Sequence, residues 1–129
     1  MEKSSEKYGN LVIQTLAMPQ DTNINGDIFG GWILSQMDIG GSIAARKFID
    51  SNAVVVSMDS MKFISPVKVG DIIFVYADLL RIKERSVSYH IKTLVLRKNS
   101  SEKKIVTEAD FTYVKVGKNK KLSPLDHYS

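Results

Sequence analysis

The sequence predicts an α+β domain in which five antiparallel strands wrap around one long central helix. One segment, from Gly31 to about Asp50, repeats apolar residues at the period of a helix. One segment before it and four after it alternate apolar and polar residues with the period of two that is typical of half-buried strands. A helix of about 18 to 20 residues is roughly 27 to 30 Å long, which is enough for five strands to lie across it.

The elements are predicted in the order strand, helix and four strands. The first strand ends at a long turn rich in Pro, Asp, Asn and Gly, Met18 to Gly26. The apolar stripe of the helix consists of Ile33, Met37, Ala44 and Phe48. The predicted strands are Leu11 to Ala17, Ala53 to Ser65, Asp71 to Glu84, Ser86 to Lys98 and Lys104 to Val116.

Alternation assigns the faces of the last two strands. One face of each strand is mostly apolar and is expected to face the core, and the other is mostly polar. The expected core face consists of Val87, Tyr89, Ile91, Thr93 and Val95 in the fourth strand and of Ile105, Thr107, Ala109, Phe111 and Tyr113 in the fifth.

Composition is that of an ordinary single domain, with 129 residues, 43% hydrophobic and 25% charged. We expect one domain over residues 11–118, a flexible polar leader over 1–10 and a tail over 119–129. The absence of cysteine excludes disulfides, a thiol nucleophile and thiolate zinc sites. A chain of this size buries only about two-thirds of its unfolded surface, so a second copy covering an apolar face would stabilise it.

The chain is expected to be cytosolic and to bind neither membranes nor nucleic acid. No apolar run approaches the ~20 residues of a membrane helix, and Met1 to Asn10 lacks the hydrophobic segment of a signal peptide. The net charge of +4 favours anionic partners weakly, but no strand face interleaves basic and aromatic residues. His90 and His127 are far apart, so no metal is implied.

Asp38 is the first candidate for chemistry, because it lies inside the helix between Met37 and Ile39. Partial burial beside apolar groups would increase its basicity, as a general base requires. Spacing alone favours the alternative of an exposed or locally hydrogen-bonded carboxylate. The neighbouring Gly40 and Gly41 indicate close approach by a ligand or by another part of the chain.

The start of the helix is the second candidate. Gly26, Gly30 and Gly31 lead into it, and the free N–H groups of a helix N-terminus favour developing negative charge, so this end could polarise a carbonyl. Asn23 could donate its amide to the same oxygen. The alternatives are turn geometry for the glycines and an Asx-turn for the asparagine.

Geometry separates the two candidates. Gly30 and Asp38 are eight residues apart, which is roughly 12 Å along a helix and too far to serve one carbonyl. Two chains must then supply the pair. A two-fold dimer with antiparallel helices would set Asn23 and Gly30 of one subunit against Asp38 of the partner subunit, twice over.

Over about Leu11 to Lys118 the sequence resembles the hotdog-fold acyl-coenzyme A thioesterases, in particular the YciA-type hydrolases and their eukaryotic acyl-CoA hydrolase relatives. The strand segment SMDSMKF, Ser57 to Phe63, is part of the resemblance. The remaining residues that carry it are Pro19, Thr22, Asn23, Gly26, Gly30, Gly31, Asp38, Val69, Gly70 and Asp71.

This resemblance implies hydrolysis of acyl-CoA to a carboxylic acid and CoA, in a dimer whose sheets join and which commonly assembles into a trimer of dimers. Asp38 matches the catalytic carboxylate, as general base or nucleophile, and Asn23 the amide that orients the substrate carbonyl or the water. Gly30 matches the N–H that polarises the carbonyl, and Ser42 is assigned to hold the attacking water. CoA is part of substrate and product, so no cofactor is implied.

The resemblance also places CoA against two segments, Val56, Ser57 and Met58, and Arg85, Ser86 and Val87. Arg81, Lys83 and Arg85 alternate along a strand end, which predicts either a phosphate clamp or a solvated basic edge.

Two further functions stay open. One is a non-catalytic CoA or acyl-group binding protein on the same fold, in which Asp38 is structural; the other is a small basic nucleic-acid-binding protein, which we rank last.

Overall fold

One antiparallel sheet of five strands, crossed by one helix, forms the part of the chain that the computed structural model describes, residues 7–49 and 53–116. A short 3-10 helix, Pro19–Asp21, lies between the first strand and the helix. The strands and the helix are β1 (Asn10–Leu16), α1 (Gly30–Ala45), β2 (Ala53–Phe63), β3 (Ile72–Ile82), β4 (Ser86–Leu96) and β5 (Lys104–Lys115).

The order of strands across the sheet is β1-β3-β4-β5-β2, and every neighbouring pair is antiparallel. Helix α1 contacts all five strands. The predicted α+β class, with five antiparallel strands around a single long helix, is therefore confirmed. Strands β1 and β2 are the two edges, and β2 comes directly after the helix in sequence although it lies farthest from β1 in the sheet.

The predicted apolar stripe of the helix faces the sheet. Ile33, Met37, Ala44 and Phe48 are all 5% exposed or less. Gly40 lies in this stripe, and a Cβ there would come within 2.7 Å of a methyl group of Val12. The absence of a side chain at Gly40 thus lets the helix approach the sheet closely, which is the packing explanation rather than the ligand explanation.

The α-helix ends earlier than predicted, at Ala45 instead of near Asp50. Beyond Ala45, some N–H groups donate to the carbonyl three residues earlier, as in a 3-10 helix. An example is the bond from Phe48 N–H to Ala45 O, at 2.9 Å. Phe48 and Ile49 stay buried in this turn, which is why the apolar pattern continues past the helix end. The predicted stop signals at residues 50–52 lie outside the described residues.

Strand boundaries agree with the predictions to within a few residues, and the core face of β4 is confirmed. The prediction for β5 is wrong at Ile105. Thr93 pairs with Thr107 but Leu94 pairs with Ile105, so a bulge breaks the alternation. Val106 consequently joins the main core, and Ile105 packs on the opposite face of the sheet.

That opposite face carries a second, smaller apolar cluster that alternation alone did not predict. Phe74, Tyr76 and Leu94 are its buried members. Tyr8 covers it from the chain segment before β1, with its ring centroid 5.2 Å from that of Tyr76. The rest of the predicted leader, residues 1–6, and residues 117–129, with His127, lie outside the described part.

His90 lies on the polar face of β4, as predicted. Its ring nitrogens contact Asp110 Oδ1 at 2.5 Å and Glu108 Oε1 at 2.8 Å, both on the neighbouring strand β5. Within residues 7–49 and 53–116, no group of three or more His, Asp or Glu side chains could hold a metal ion. No helix among the described residues is long and apolar enough to cross a membrane.

Candidate active site

The loop before the helix folds back on itself and brings Asn23 to the helix start. Thr22 and Ile28 form an isolated antiparallel bridge, and the N–H of Phe29 donates to Asp21 O at 2.9 Å. The hydroxyl of Thr22 donates to Pro19 O at 2.9 Å, which closes the 3-10 turn. These bonds, one of which involves Thr22 from the family resemblance, therefore determine the conformation of the loop.

Asn23 adopts the Asx-turn that is one of the two alternatives for its sequence position. Its Oδ1 accepts hydrogen bonds from the N–H groups of Asn25, at 2.8 Å, and Asp27, at 3.1 Å, as in an Asx-turn. Gly26 closes the loop with φ of +83°. Because the oxygen is occupied by the backbone, the Nδ2 group is the end of the amide that remains to donate to a ligand.

The start of the helix is open. Phe29 precedes it without a side-chain cap, and the first turn contains no acidic residue. The N–H groups of Trp32 and Ile33 already bond to Phe29 O, so Gly30 and Gly31 carry the N–H groups that the helix leaves unpaired. A Cβ at Gly31 would meet nothing within 4 Å. This end can therefore donate to an oxygen that approaches it.

Asp38 lies about two turns further along the helix and is half-buried. It borders an open cleft of about 540 Å³. The other residues that line this cleft are Ile39, Ser42, Ile43 and Arg46. A carboxylate, a hydroxyl and a cation thus share one helix surface with two apolar side chains.

Tyr113 of β5 reaches Asp38 from beneath the helix. Its hydroxyl lies 3.0 Å from Asp38 Oδ1 and 3.1 Å from Asp38 O, and donates to them. It fits there because Gly41 has no side chain: a Cβ at Gly41 would lie 2.1 Å from the Tyr113 oxygen. Gly41 therefore makes room for a side chain from the sheet. Of the two alternatives that the sequence left open, a ligand or another part of the chain, the second is the one observed.

Burial raises the pKa of Tyr113 far above its usual value, and the charge of Asp38 and its hydrogen bond to Tyr113 raise it further. A hydrogen bond with Ser42 acts in the opposite direction. The phenol consequently keeps its proton at any physiological pH. It can only be the donor toward the carboxylate.

The structure gathers the predicted catalytic residues in two groups. Asn23 lies in the loop whose Asp21 bonds back to Phe29, the residue before Gly30, and Asp38 and Ser42 both line the cleft. The two groups are not joined within one chain, because Gly30 and Asp38 lie eight positions apart on one continuous α-helix, a separation of roughly 12 Å along its axis.

The two segments predicted to bind CoA lie on either side of β5, at the same level of the sheet. Val87 pairs with Tyr113, and Tyr113 pairs with Val55, the residue before the Val56–Met58 segment. Val56 is the extra residue of a bulge between Val55 and Ser57. Two strand spacings, about 10 Å, separate the segments.

Individual residues of these segments differ in accessibility. Val56 and Met58 are exposed, and Ser57 and Ser86 are partly exposed. Val87 is fully buried, so only its main chain could contact a ligand.

Arg85 lies in the turn between β3 and β4, where its guanidinium donates to Lys115 O at 3.3 Å. The Lys115 N–H in turn donates to Arg85 O. Strand β3 ends at Ile82 and Lys83 begins the turn, so Arg81, Lys83 and Arg85 do not share one strand face as predicted.

Sequence reasoning missed Tyr113 and Arg46 as residues of the site. It assigned Tyr113 to the core face of the last strand, which is correct, but the core position carries a phenol whose oxygen needs a partner. That requirement, together with the glycine pair in the helix, is the signal that points to a contact with the helix. Arg46 gave no signal, since its place on the cleft depends on the helix orientation.

The thioesterase superfamily model matches residues 25–94. The acyl-CoA thioester hydrolase YciA of Salmonella typhimurium is 45% identical over 120 residues, which cover 91% of this chain and 90% of that protein. The crystal structure of a hexameric thioesterase from Yersinia pestis matches with a TM-score of 0.82 and 47% identity, over 89% of this chain and 96% of that one. A hexameric hotdog-fold thioesterase of Campylobacter jejuni matches with a TM-score of 0.84 and 40% identity, over 90% and 92% of the two chains.

Proposed function

Because the chain belongs to the thioesterase superfamily, and within it to the YciA-type acyl-CoA thioester hydrolases, we propose that it hydrolyses acyl-CoA to a free carboxylic acid and CoA. The similarity to an acyl-CoA hydrolase over nine-tenths of both chains carries this proposal. The positions of Asn23, Gly30 and Asp38 support it, because they offer donors for a carbonyl oxygen and a carboxylate on a cleft.

In the proposed reaction the substrate carbonyl lies against the helix start. The N–H of Gly30 and Nδ2 of Asn23 donate to its oxygen and make the carbonyl carbon more electrophilic. They also stabilise the negative charge that this oxygen gains in the tetrahedral intermediate. The positive end of the helix dipole acts in the same direction.

Asp38 of the partner subunit then supplies the base or the nucleophile. As a base, its carboxylate takes a proton from a water held by Ser42 while the water oxygen attacks the carbonyl carbon. As a nucleophile, it attacks the carbon itself, and water hydrolyses the resulting anhydride. In both routes the carbon–sulfur bond breaks, CoA leaves as a thiolate and takes up a proton.

We propose a dimer that completes each site. Ile39 and Ile43 are about half exposed on the cleft side of the helix, although both are apolar. Strand β2 is an edge that exposes Val54, Val56 and Met58. A second copy would cover both surfaces, pairing helix with helix and edge with edge. Hexameric relatives support a further assembly into a trimer of dimers.

CoA is proposed to lie along Val56, Ser57 and Met58 and along the turn that begins at Arg85 and continues through Ser86 and Val87. The bulge at Val56 interrupts the regular ladder between β2 and β5, where main-chain groups can bind the pantetheine amides. The guanidinium of Arg85 suits a phosphate. The reaction needs water but no cofactor or metal, and a cytosolic location stays a prediction.

A thiol-release assay tests the proposed activity. Acetyl-, butyryl-, hexanoyl-, lauroyl- and palmitoyl-CoA are each incubated with the protein, and free CoA is trapped with a chromogenic disulfide. We expect release well above the rate without protein for at least one chain length. Binding of CoA without thiol release from any of them would favour the alternative of a non-catalytic CoA or acyl-group binding protein.

Mixed oligomers test the shared site. Asn23→Ala and Asp38→Ala subunits are each expected to be strongly impaired, and subunits exchanged by co-refolding should regain activity. Each heterodimer contains one site with both original groups and one with neither, so half of its sites are restored. A mixture of Asp38→Ala with Asp38→Asn is the control, since it cannot form an intact site. Activity that stays absent after verified exchange would contradict a site shared between subunits.

A further inference from the structure

We propose that Tyr113 is a positioning residue that holds the Asp38 carboxylate with one oxygen against the helix and the other toward the cleft. The proposal rests on the hydrolytic function above, because it concerns the orientation of its candidate catalytic group. The Tyr113 hydroxyl lies 3.0 Å from Oδ1 and 3.1 Å from the main-chain O of Asp38. Since Oδ1 is engaged, Oδ2 is the oxygen left for the reaction.

Tyr113 is itself rigidly placed. Its ring is fully buried in the inward face of β5, with Val87 and Val55 opposite it on the two neighbouring strands. Gly41 leaves only the space that the phenol oxygen occupies. Tyr113, which is held by the sheet, thus sets the rotamer of Asp38 on the helix. The rigid sheet therefore fixes the position of the Asp38 carboxylate.

The direction of the hydrogen bond between Tyr113 and Asp38 is fixed. The phenol keeps its proton because burial raises the pKa of Tyr113, so the phenol donates to the carboxylate. Because a hydrogen bond requires a short distance and a suitable angle, a bond donated by a fixed phenol restricts the direction of the carboxylate.

Tyr89 offers a matched comparison. It is also buried, on β4, and its hydroxyl also donates to helix α1, but to the main-chain O of Ala44 at 2.9 Å. The two tyrosines therefore have similar rings, similar burial and similar bonds to the same helix. They differ in that the hydroxyl of Tyr113 donates to the Asp38 side chain, whereas that of Tyr89 donates to a main-chain oxygen.

The kinetic test compares Tyr113→Phe with Tyr89→Phe. We expect Tyr113→Phe to lower kcat about 10- to 100-fold with little change in KM, because the carboxylate loses its fixed orientation. Tyr89→Phe should keep the original kcat, even if it loses as much thermal stability.

Replacing Tyr113 with 3-fluorotyrosine keeps the ring and the hydrogen-bond donor. The Asp38 carboxylate should then keep its orientation, so we expect kcat to stay within about twofold of the original. This variant tests the contact if Tyr113→Phe does not fold. A roughly tenfold kcat loss in the 3-fluorotyrosine variant, an unchanged kcat in Tyr113→Phe, or an equal kcat loss in Tyr89→Phe would overturn the positioning role.

A measurement without substrate separates this inference from the proposed activity. Three-bond NMR couplings of the resting protein report the χ1 rotamer of Asp38. We expect one rotamer in the original protein and in Tyr89→Phe, and averaging in Tyr113→Phe. If the protein releases no thiol but the rotamer result holds, the proposed activity is wrong and the positioning contact stands. A single rotamer retained in Tyr113→Phe would refute the contact whatever the activity.

Discussion

Replacing Asp38 with alanine is expected to abolish acyl-CoA hydrolysis while CoA still binds. The substitution removes the only carboxylate on the cleft among the described residues that line it, and a positioned base contributes about 10²- to 10⁴-fold to a rate. The proposed CoA contacts lie elsewhere, on the Val56–Met58 segment and the turn at Arg85. Thiol release measures the first effect and titration calorimetry with CoA the second.

Asp38→Asn sharpens this experiment. The asparagine oxygen can still accept from Tyr113, so the fold and the hydrogen bond are kept while the charge is removed. It should lose about as much activity as Asp38→Ala, with smaller loss of stability. Asp78→Asn, at an exposed position on β3, serves as the control and should retain full activity. Unchanged turnover in either Asp38 variant would reject the catalytic assignment.

Gly41→Ala is expected to be the most disruptive single-methyl substitution in the helix. The new Cβ would lie 2.1 Å from the Tyr113 oxygen and 2.8 Å from Cδ1 of Ile91, in a fully packed core. Overpacking of this kind costs about 1 to 3 kcal/mol, and here it also displaces the group that holds Asp38. We expect urea unfolding to show a loss near the upper end of that range, together with loss of hydrolysis.

Two other glycines of the same helix provide graded controls. Gly31→Ala meets no atom within 4 Å, and the higher helix propensity of alanine should leave the free energy of unfolding equal or raise it by up to about 1 kcal/mol. Gly40→Ala meets a Val12 methyl at 2.7 Å, which can move, so its effect should lie between the two. Wild-type stability in Gly41→Ala would mean that Tyr113 does not occupy the space beneath the helix.

Local regularities of the sequence were enough to predict the secondary structure and to select Asp38 as a candidate site residue. The change of period from 3.6 to two separates α1 from the strands that follow it, and both signals depend only on neighbouring residues. The position of Asp38 inside an apolar helix beside a glycine pair likewise needs no tertiary information. The helix end was predicted too late because buried residues continue beyond Ala45, where the regular helical hydrogen bonds end. The face of Ile105 was misassigned because a bulge shifts the register between β4 and β5.

Contacts that depend on the order of the strands in the sheet could not be predicted from the sequence. Alternation assigns Tyr113 to the core face of β5 but says nothing about which helix residue lies above it, 75 positions earlier in the chain. The order β1-β3-β4-β5-β2 places β5 between the two proposed CoA segments and beneath Gly41. Alternation alone also could not say where the Tyr113 hydroxyl would bond.

By itself, then, the amino-acid sequence specified the secondary-structure elements, the faces that they bury and the carboxylate that we propose for the chemistry, because these follow from periodicity and local propensity. Only the folded arrangement decided that the Tyr113 hydroxyl bonds to this carboxylate and that Gly41 lies above Tyr113. The physical reason is that contacts between distant segments are set by register and close packing, and neither of these has a local signature.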